Sequence, residues 1–175
     1  MGKIGLYVGR FQPFHLGHLE AIKYMLSRVD ELVIVIGSAQ YSHTSENPFT
    51  AGERVRMIRL ALTEAEIDPS KYLTIPISDT GSHGVWVSYV LMRTPKFEVV
   101  YSNEPVTSRL FDEAGFKVEG IPFFNRDFYS ATFIRSRMLN DQGWEKFVPR
   151  SVAEYIKEIE GVRRIKDIAG TDKPQ

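Results

Sequence analysis

Apolar residues concentrate in five short runs along the chain, and patterns of helical spacing occupy nearly every interval between them. The runs cover residues 4–8, 32–36, 72–77, 97–101 and 116–118. The second run is continuously apolar, which is typical of a parallel strand covered by helices on both faces. The alternation of strand and helix therefore predicts an α/β fold built from βαβ units.

The first two helical segments show the periodicity and the start signals of amphipathic helices. Leu19, Ile22 and Leu26 recur at helical spacing, which predicts a buried stripe on the first helix. The second helix opens with Thr50-Ala51-Gly52-Glu53, which fits the Thr-x-x-Glu capping box. Both segments are therefore predicted to be helices with one buried face.

The second half of the chain carries four further helical patterns. Their predicted spans are 85–92, 105–115, 131–139 and 151–161. Pro105 is a typical first-turn residue and Gly115 a typical terminator of the helix between them. The last helix is predicted to start near Ser151, with Glu154 as its capping partner, and to end at Gly161.

The composition is that of a globular protein with few chemical options. The chain has 175 residues, with 22 Lys or Arg, 22 Asp or Glu and no cysteine. Zero net charge argues against a nucleic-acid clamp and against a polybasic membrane binder. The lack of cysteine excludes disulfides, thiolate zinc sites and cysteine nucleophiles, so catalysis must use His, Arg, Lys, carboxylates or a metal.

Length and termini set the expected organisation. We expect residues 1–170 to form a single domain whose part 125–170 is helical, followed by a loose tail at 171–175. No apolar run approaches the roughly 20 residues that cross a bilayer. The N-terminus enters a strand-like stretch without the zones of a signal peptide, so we expect a cytoplasmic protein with no membrane partner.

The strongest chemical motif lies between the first predicted strand and the first helix. Residues 9–18 read Gly-Arg-Phe-Gln-Pro-Phe-His-Leu-Gly-His, at the strand end where open α/β sheets bind ligands. His15 and His18 lie three residues apart, so they can face one point. With Arg10 and the backbone N–H groups of the helix start, they suit an anion. Either histidine alone would be explained by a capping or surface role, but the whole pattern favours an anion site.

A second motif opens the predicted helix at 131–139. Residues 129–137 read Tyr-Ser-Ala-Thr-Phe-Ile-Arg-Ser-Arg. Ser130 suits an N-cap, and Arg135 follows about one turn later, where a guanidinium can grip phosphate oxygens in a bidentate fork. The alternative is a capped, solvated helix with incidental arginines.

Together the two motifs resemble the nucleotidyltransferase superfamily with the HxGH signature. The early motif fits Gly-x-Phe-x-Pro-x-His-x-Gly-His, and the late one fits Ser-x-Thr-x-x-Arg. Over residues 4–168 the chain is more similar to one branch, the archaeal-type nicotinamide-nucleotide adenylyltransferases. The segments that carry this likeness are 9–15, 37–40, 42–43, 47–54, 86–89 and 129–138. We therefore expect a Rossmann-like, doubly wound parallel sheet of five strands in the order 3-2-1-4-5, with a helical C-terminal extension.

The resemblance implies an adenylyl transfer from ATP to the 5′-phosphate of nicotinamide mononucleotide (NMN), which yields NAD and pyrophosphate. The attacking phosphate has a second pKa near 6, so in-line attack without a covalent intermediate needs no general base. Mg²⁺ is expected with ATP, held by phosphate and water, and no protein ligand is predicted for it. The resemblance also implies a homo-oligomer, often a hexamer in this family, and no nucleic-acid partner.

Roles for individual residues follow from the same resemblance. The predicted catalytic residues are His15, His18 and Arg135. The predicted ATP-binding residues are Gly9, Arg10, Phe11, Gly17, Ser130, Thr132 and Arg135, with Gly17 carrying the adenine. The predicted NMN-binding residues are Ser38, Gln40, Asp79 and Trp86, with Trp86 stacking on the nicotinamide.

Several of these residues have a simpler explanation. Trp86 also suits a core aromatic of an amphipathic helix, and Ser38 and Gln40 suit an ordinary polar turn. Arg54 is either a surface charge of the second helix or a ligand contact.

Three departures from the branch leave acceptor recognition open. His83 stands where relatives have Asn, Asn103-Glu104 where they have Gly-Asn, and Ala131 where they have Gly. One alternative is nucleotidyl transfer to FMN, phosphopantetheine or glycerol phosphate, although His15 disfavours the phosphopantetheine branch, which has Thr there. Another is a nucleotide sensor without turnover, which would not need both histidines and Arg135.

Overall fold

Five parallel strands form one sheet in a computed structural model that describes residues 2–125 and 127–171. The strands are β1 (Ile4–Gly9), β2 (Glu31–Ile36), β3 (Tyr72–Pro76), β4 (Val99–Tyr101) and β5 (Lys117–Glu119). They are ordered β3-β2-β1-β4-β5, and every neighbouring pair is parallel. The predicted Rossmann-like sheet and its strand order are confirmed.

The core beside the sheet explains why β2 reads as an unbroken apolar run. All five residues from Leu32 to Ile36 are fully buried, as expected for a strand covered on both faces. Val33 and Val35 join a cluster of buried side chains that includes Phe97 and Phe111. Phe97 was predicted to open the fourth strand, but it packs in this core two residues before β4 begins.

Seven α-helices occur among the described residues. They are α1 (Leu16–Leu26), α2 (Ala51–Glu64), α3 (His83–Leu91), α4 (Pro105–Glu113), α5 (Ala131–Leu139), α6 (Arg150–Glu158) and α7 (Gly161–Ala169). The predicted capping box of α2 is confirmed, since Thr50 Oγ1 accepts the Glu53 N–H at 3.1 Å and Glu53 Oε2 accepts the Thr50 N–H at 2.9 Å. Gly115, at φ +87°, follows the end of α4 as predicted.

The C-terminal helices differ from the prediction in two ways. Gly161 does not end a helix but begins α7. A Cβ there would lie 2.9 Å from both Ile156 Cγ2 and Phe49 Cε1. This glycine therefore permits close packing. Glu154 is not the capping partner of Ser151: it pairs with Arg150 at 2.8 Å. The Ser151 backbone N–H and hydroxyl instead donate to Glu64 Oε2 at 3.0 and 2.6 Å.

Contacts divide the chain into two compact units, each assembled from separate segments. The first unit comprises Met1–Arg10, Ala21–Ala39 and Asp68–Pro122, and it contains the sheet with α3 and α4. The second comprises Phe11–Glu20, Gln40–Ile67 and Phe123–Gln175, and it contains α2, α5, α6 and α7. The single domain over 1–170 stays a prediction, and residues 172–175 of the predicted tail lie outside the described residues.

No helix in the described part of the chain combines the length and the apolar character that crossing a membrane requires.

Candidate active site

In the second unit, the two histidines of the first motif lie face to face at the start of α1. Their ring centroids are 3.5 Å apart and their planes differ by 20°. The His18 backbone N–H donates to His15 Nδ1 at 3.3 Å, and the His15 backbone N–H donates to His18 Nδ1 at 3.1 Å. His15 O also accepts the Leu19 N–H. The pair thus forms a reciprocal cap of the capping-box type, with imidazoles in place of Thr and Glu.

This cap fixes the protonation of both rings. Because each Nδ1 accepts an N–H, a neutral ring must carry its proton on Nε2. Burial lowers the pKa of His15 to about 3. Burial and the neighbouring His15 lower the pKa of His18 well below its ordinary value. At neutral pH the motif therefore presents two neutral Nε2–H donors, and not the cations that an anion site at first suggests.

Aromatic side chains hold the histidine pair in place. The rings of Phe11 and Phe14 lie 4.7 and 5.4 Å from the His18 ring, and both are buried. A Cβ on Gly17 would lie 2.7 Å from Tyr129 Cβ and 3.0 Å from His15 Cε1 and Nδ1. The missing side chain at position 17 thus lets Tyr129 approach the histidines. Adenine binding at Gly17 and ATP binding by Phe11 stay predictions.

The second motif meets the first inside this unit. Ser130 Oγ accepts the Phe133 N–H at 3.1 Å, so Ser130 is the N-cap of α5 as predicted. Arg135 Nη1 donates to the backbone carbonyl of Gln12 at 2.8 Å, which brings its guanidinium to the loop that leads into His15. Thr132 is exposed in the first turn of α5.

The first unit contains a separate feature, a cavity of about 710 Å³ at the carboxyl ends of its strands. Gly9, Arg10, Ser38, Asp79 and Trp86 are among its lining residues. Residues predicted for ATP and residues predicted for NMN therefore share this cavity. The remaining NMN candidate, Gln40, is exposed, belongs to the second unit and does not line the cavity.

The cavity wall combines polar and aromatic surface. Ser38 Oγ donates to Asp79 Oδ2 at 2.9 Å. This hydrogen bond joins the loop that follows β2 to the loop that follows β3. Trp86 is half-buried and lies edge-on to Phe111, with ring centroids 5.6 Å apart. Trp86 therefore serves both as a packing residue and as cavity wall, so the two interpretations of the sequence are compatible.

Two of the three departures from the branch lie in the first unit, and the third, Ala131, begins α5 in the second unit. His83 and Glu104 line the cavity. Burial raises the pKa of Glu104, but hydrogen bonds from the backbone N–H groups of Thr107 and Val106 outweigh it and hold the pKa below its ordinary value. Asn103 instead clamps a neighbouring loop, since its side-chain amide exchanges two hydrogen bonds with the backbone of Ile121 at 2.6 and 2.9 Å.

The burial of two residues of the second unit, Arg54 and Gln12, was not predicted from the sequence. Arg54 is fully buried, with Nε donating to Thr50 O at 3.2 Å and Nη2 to Tyr41 O at 3.3 Å, so the surface-charge interpretation is wrong. Its position four residues before the buried Ile58 was the available signal. Gln12, an unspecified position of the motif, is 1% exposed, and nothing in its spacing distinguished it.

Among residues 2–125 and 127–171, no three His, Cys, Asp or Glu side chains come together as a metal site. The histidine pair itself presents N–H groups, which do not bind a cation. A divalent ion at this place would have to be held by oxygens of a ligand and by water.

Comparison with known proteins identifies the family. Residues 6–137 match the family described as cytidylyltransferase-like. A protein of Saccharolobus solfataricus named nicotinamide-nucleotide adenylyltransferase is 53% identical over 169 residues, which cover 97% of this chain and 98% of that protein. A protein of the same name from Archaeoglobus fulgidus is 54% identical over 170 residues, which cover 95% of this chain and 97% of that protein. The chain belongs to the nicotinamide-nucleotide adenylyltransferase family.

Solved structures share the fold of this adenylyltransferase family member. A bifunctional NMN adenylyltransferase/ADP ribose pyrophosphatase from Francisella tularensis, complexed with AMP and a Mn ion, matches with a TM-score of 0.79 at 22% identity over 97% of this chain. The chain spans about half, 52%, of the length of that protein. A putative nicotinate-nucleotide adenylyltransferase from Vibrio parahaemolyticus matches with a TM-score of 0.63 at 15% identity, covering 94% of this chain and 96% of that one. At these identities the likeness supports the fold alone.

Proposed function

We propose that the protein transfers the adenylyl group of ATP to the 5′-phosphate of NMN and releases NAD and pyrophosphate. The observation that carries the proposal is the identity of 53% over 97% of the chain with a protein named for this activity. The intact histidine pair and the anchored Arg135 support turnover over a sensor function, because binding alone does not require fixed donors of this kind.

The reaction requires the protein mainly to align the two reactants and to stabilise the charge of the transition state. The acceptor phosphate attacks the α-phosphorus of ATP in line, and the bond from that phosphorus to the pyrophosphate oxygen breaks. The attacking phosphate is mostly a dianion at neutral pH, so no side chain has to remove a proton. A mechanism without a general base suits a site whose histidines are neutral donors with lowered pKa values.

We assign the triphosphate to the second unit. The Nε2–H groups of His15 and His18 would donate to oxygens around the α-phosphorus, where charge accumulates in the transition state. Arg135, Ser130, Thr132 and the N-terminus of α5 would hold the leaving β- and γ-phosphates. Gly17 and Phe11 are proposed to contact the adenosine.

We assign the acceptor to the cavity of the first unit. Its volume of about 710 Å³ lies in the range of small-molecule sites, roughly 300–1,000 Å³. Trp86 offers an aromatic edge and face to the cationic nicotinamide ring, and the Ser38–Asp79 pair offers polar partners. Gly9 and Arg10 line the same cavity, and Arg10 supplies a cation for phosphate. For Gln40 the assignment rests on the resemblance alone.

We propose that Mg²⁺ accompanies ATP. It would be held by phosphate oxygens and water, which are its usual ligands in such complexes. When bound, it would neutralise part of the triphosphate charge. We further propose a cytoplasmic homo-oligomer, in line with the family.

The decisive experiment is a product assay with a panel of acceptors. The protein is incubated with ATP and Mg²⁺ plus NMN, nicotinate mononucleotide, FMN, phosphopantetheine or glycerol 3-phosphate, and the products are identified by mass. We expect NAD and pyrophosphate with NMN. A different adenylylated product would identify another acceptor as the substrate. If no acceptor gave a product, the result would favour a nucleotide-binding protein without turnover. CTP in place of ATP serves as the control for the nucleobase.

A further inference from the structure

Gln12 is buried in the loop that carries His15, and its amide makes a two-way connection to a distant segment. Its Nε2 donates to Phe49 O at 2.9 Å, and its Oε1 accepts the Phe49 N–H at 2.9 Å. The residue is 1% exposed and Phe49 is fully buried. Among side chains in their usual form at neutral pH, only an amide presents a donor and an acceptor side by side to satisfy both backbone groups in this orientation.

The segment on the other side of this connection is itself firmly held. Thr50, the next residue, belongs to the capping box of α2 with Glu53. Arg164 of α7 binds both carboxylate oxygens of Glu53, at 2.6 and 2.8 Å, and also donates to Pro48 O at 3.2 Å. The Phe49 ring packs where α7 begins, since a Cβ on Gly161 would lie 2.9 Å from it. Phe49 is therefore a fixed reference point within the second unit.

The backbone of Gln12 transmits this fixed position to the phosphate-binding side chains. Its carbonyl accepts the Arg135 Nη1–H at 2.8 Å. A guanidinium carries five N–H donors in one plane, so a bond from one donor sets the direction of the others. Gln12 also lies three residues before His15, in the same loop.

We propose that Gln12 is a positioning residue of the adenylyl transfer. Its side-chain amide holds the histidine loop, which is the loop that leads into His15, against Phe49. Its backbone carbonyl thereby orients Arg135 toward the leaving pyrophosphate. This inference rests on the proposed function. Gln12 itself acts through Arg135 and the histidine loop. Loss of its amide changes the handling of ATP and pyrophosphate and leaves the acceptor cavity of the first unit unaffected.

The test compares Gln12→Met, which keeps the length but loses both hydrogen bonds, with the wild type. We expect the KM for ATP, and the KM for pyrophosphate in the reverse reaction, to rise on the order of 10-fold or more, since small misplacements of catalytic groups have large effects. The KM for NMN should stay within about 2-fold. Calorimetric binding of pyrophosphate gives the same comparison without turnover. It therefore still tests Gln12 if the wild type makes no NAD and the proposed function fails.

Two further variants separate positioning from simple stability. Ser151→Ala removes a side-chain hydrogen bond to Glu64 of the same unit, so it should lower stability without changing either KM. Gln12→Glu keeps the shape. Its ionised carboxylate repels Phe49 O, but its protonated form again offers a donor and an acceptor, so its activity relative to the wild type should rise as the pH falls from 8 to 6.

The spectroscopic readout uses the small number of histidines. With four in the chain, the imidazole signals of His15 and His18 can be assigned and should move in Gln12→Met, while those of His43 and His83 should not. Equal changes of KM for ATP and NMN, or the same kinetics in Gln12→Met and Ser151→Ala, would overturn the proposal. If Gln12→Met does not fold, the pH response of Gln12→Glu decides, and a constant ratio to the wild type rejects a role for the amide.

Discussion

The histidine site of the second unit and the cavity of the first unit hold their side chains in different ways. At the histidine site, His15, His18 and Arg135 are each fixed by a hydrogen bond that involves backbone. In the cavity, Asp79 and His83 are exposed. The difference matches the two tasks that we propose for these regions, because phosphate transfer requires fixed donors, whereas recognition of an acceptor can be adjusted by replacing exposed side chains. His83 and Glu104, two of the residues that depart from the branch, line this cavity.

His18→Ala should have the largest effect, since it removes one fixed donor and one half of the helix cap. We expect turnover to fall on the order of 100-fold or more while ATP still binds. Steady-state kinetics and an ATP titration of the folded variant measure both quantities. His43→Ala, a change in the same unit outside the histidine pair, is the control. Turnover within a few-fold of the wild type would remove His18 from the mechanism and with it the idea of a rigid donor site.

Arg135→Lys should come next. The charge remains, but the planar fork and its bond to Gln12 are lost, so kcat/KM should fall on the order of 10- to 100-fold in both directions. Arg137→Lys, two residues along α5, is the matched control. Normal forward and reverse kinetics in Arg135→Lys would mean that its guanidinium only stabilises the loop.

Trp86→Ala tests the cavity. Stacking and cation–π attraction are worth about 1–2 kcal/mol, so the affinity for NMN should fall about 5- to 30-fold with little change for ATP. Reduced NMN, whose ring is neutral, should lose less than the cationic form. Equal losses for ATP and NMN would identify Trp86 as a packing residue against Phe111 alone.

His83→Asn should produce a smaller change, because it restores the residue typical of the branch at an exposed position of the cavity wall. We expect kcat/KM for NMN to change about 2- to 5-fold, the size of one polar contact, with the KM for ATP unchanged. His43→Asn provides the same substitution in the other unit. An effect as large as that of His18→Ala would contradict the division between a rigid and an adaptable region.

The smallest effect is expected from pH in the range of ordinary histidine titration. Because the pKa of His15 is about 3 in the folded protein and near 6.5 when unfolded, protonation favours the unfolded state. The stability that neutral His15 contributes is therefore complete above about pH 6.5 and is lost as the pH falls toward 3. Nitrogen NMR should show both rings as Nε2–H tautomers from pH 8 to 6. Protonation of either ring in that interval would reverse the assignment of neutral donors.

The sequence predicted the features that depend on residues close together in the chain. The continuous apolar run of β2, the Thr50 capping box, the Ser130 cap and the Gly115 terminator all depend on neighbours in the chain, and all are confirmed. The parallel order of the strands followed from the alternation of elements together with the family likeness. The roles of the site residues stay predictions.

The features that the sequence did not predict depend on contacts between residues that lie far apart in the chain. The role of Gln12 requires Phe49, the burial of Arg54 requires the carbonyl of Tyr41, and the start of α7 at Gly161 requires space beside Phe49. Each is a property of a tertiary contact, so spacing within one element carries little trace of it. The Gly161 error has this cause: glycine after a helix usually signals an end, whereas here it permits two side chains to approach.

The reciprocal histidine cap of α1 joins folding to chemistry at the level of single atoms. The two Nδ1 atoms complete the first turn of the helix, so the same event that forms the helix also decides which nitrogen of each ring keeps its hydrogen. In the proposed mechanism, both donors are therefore in their working form as soon as the helix has folded. In that mechanism neither histidine has to gain or lose a proton between one catalytic cycle and the next.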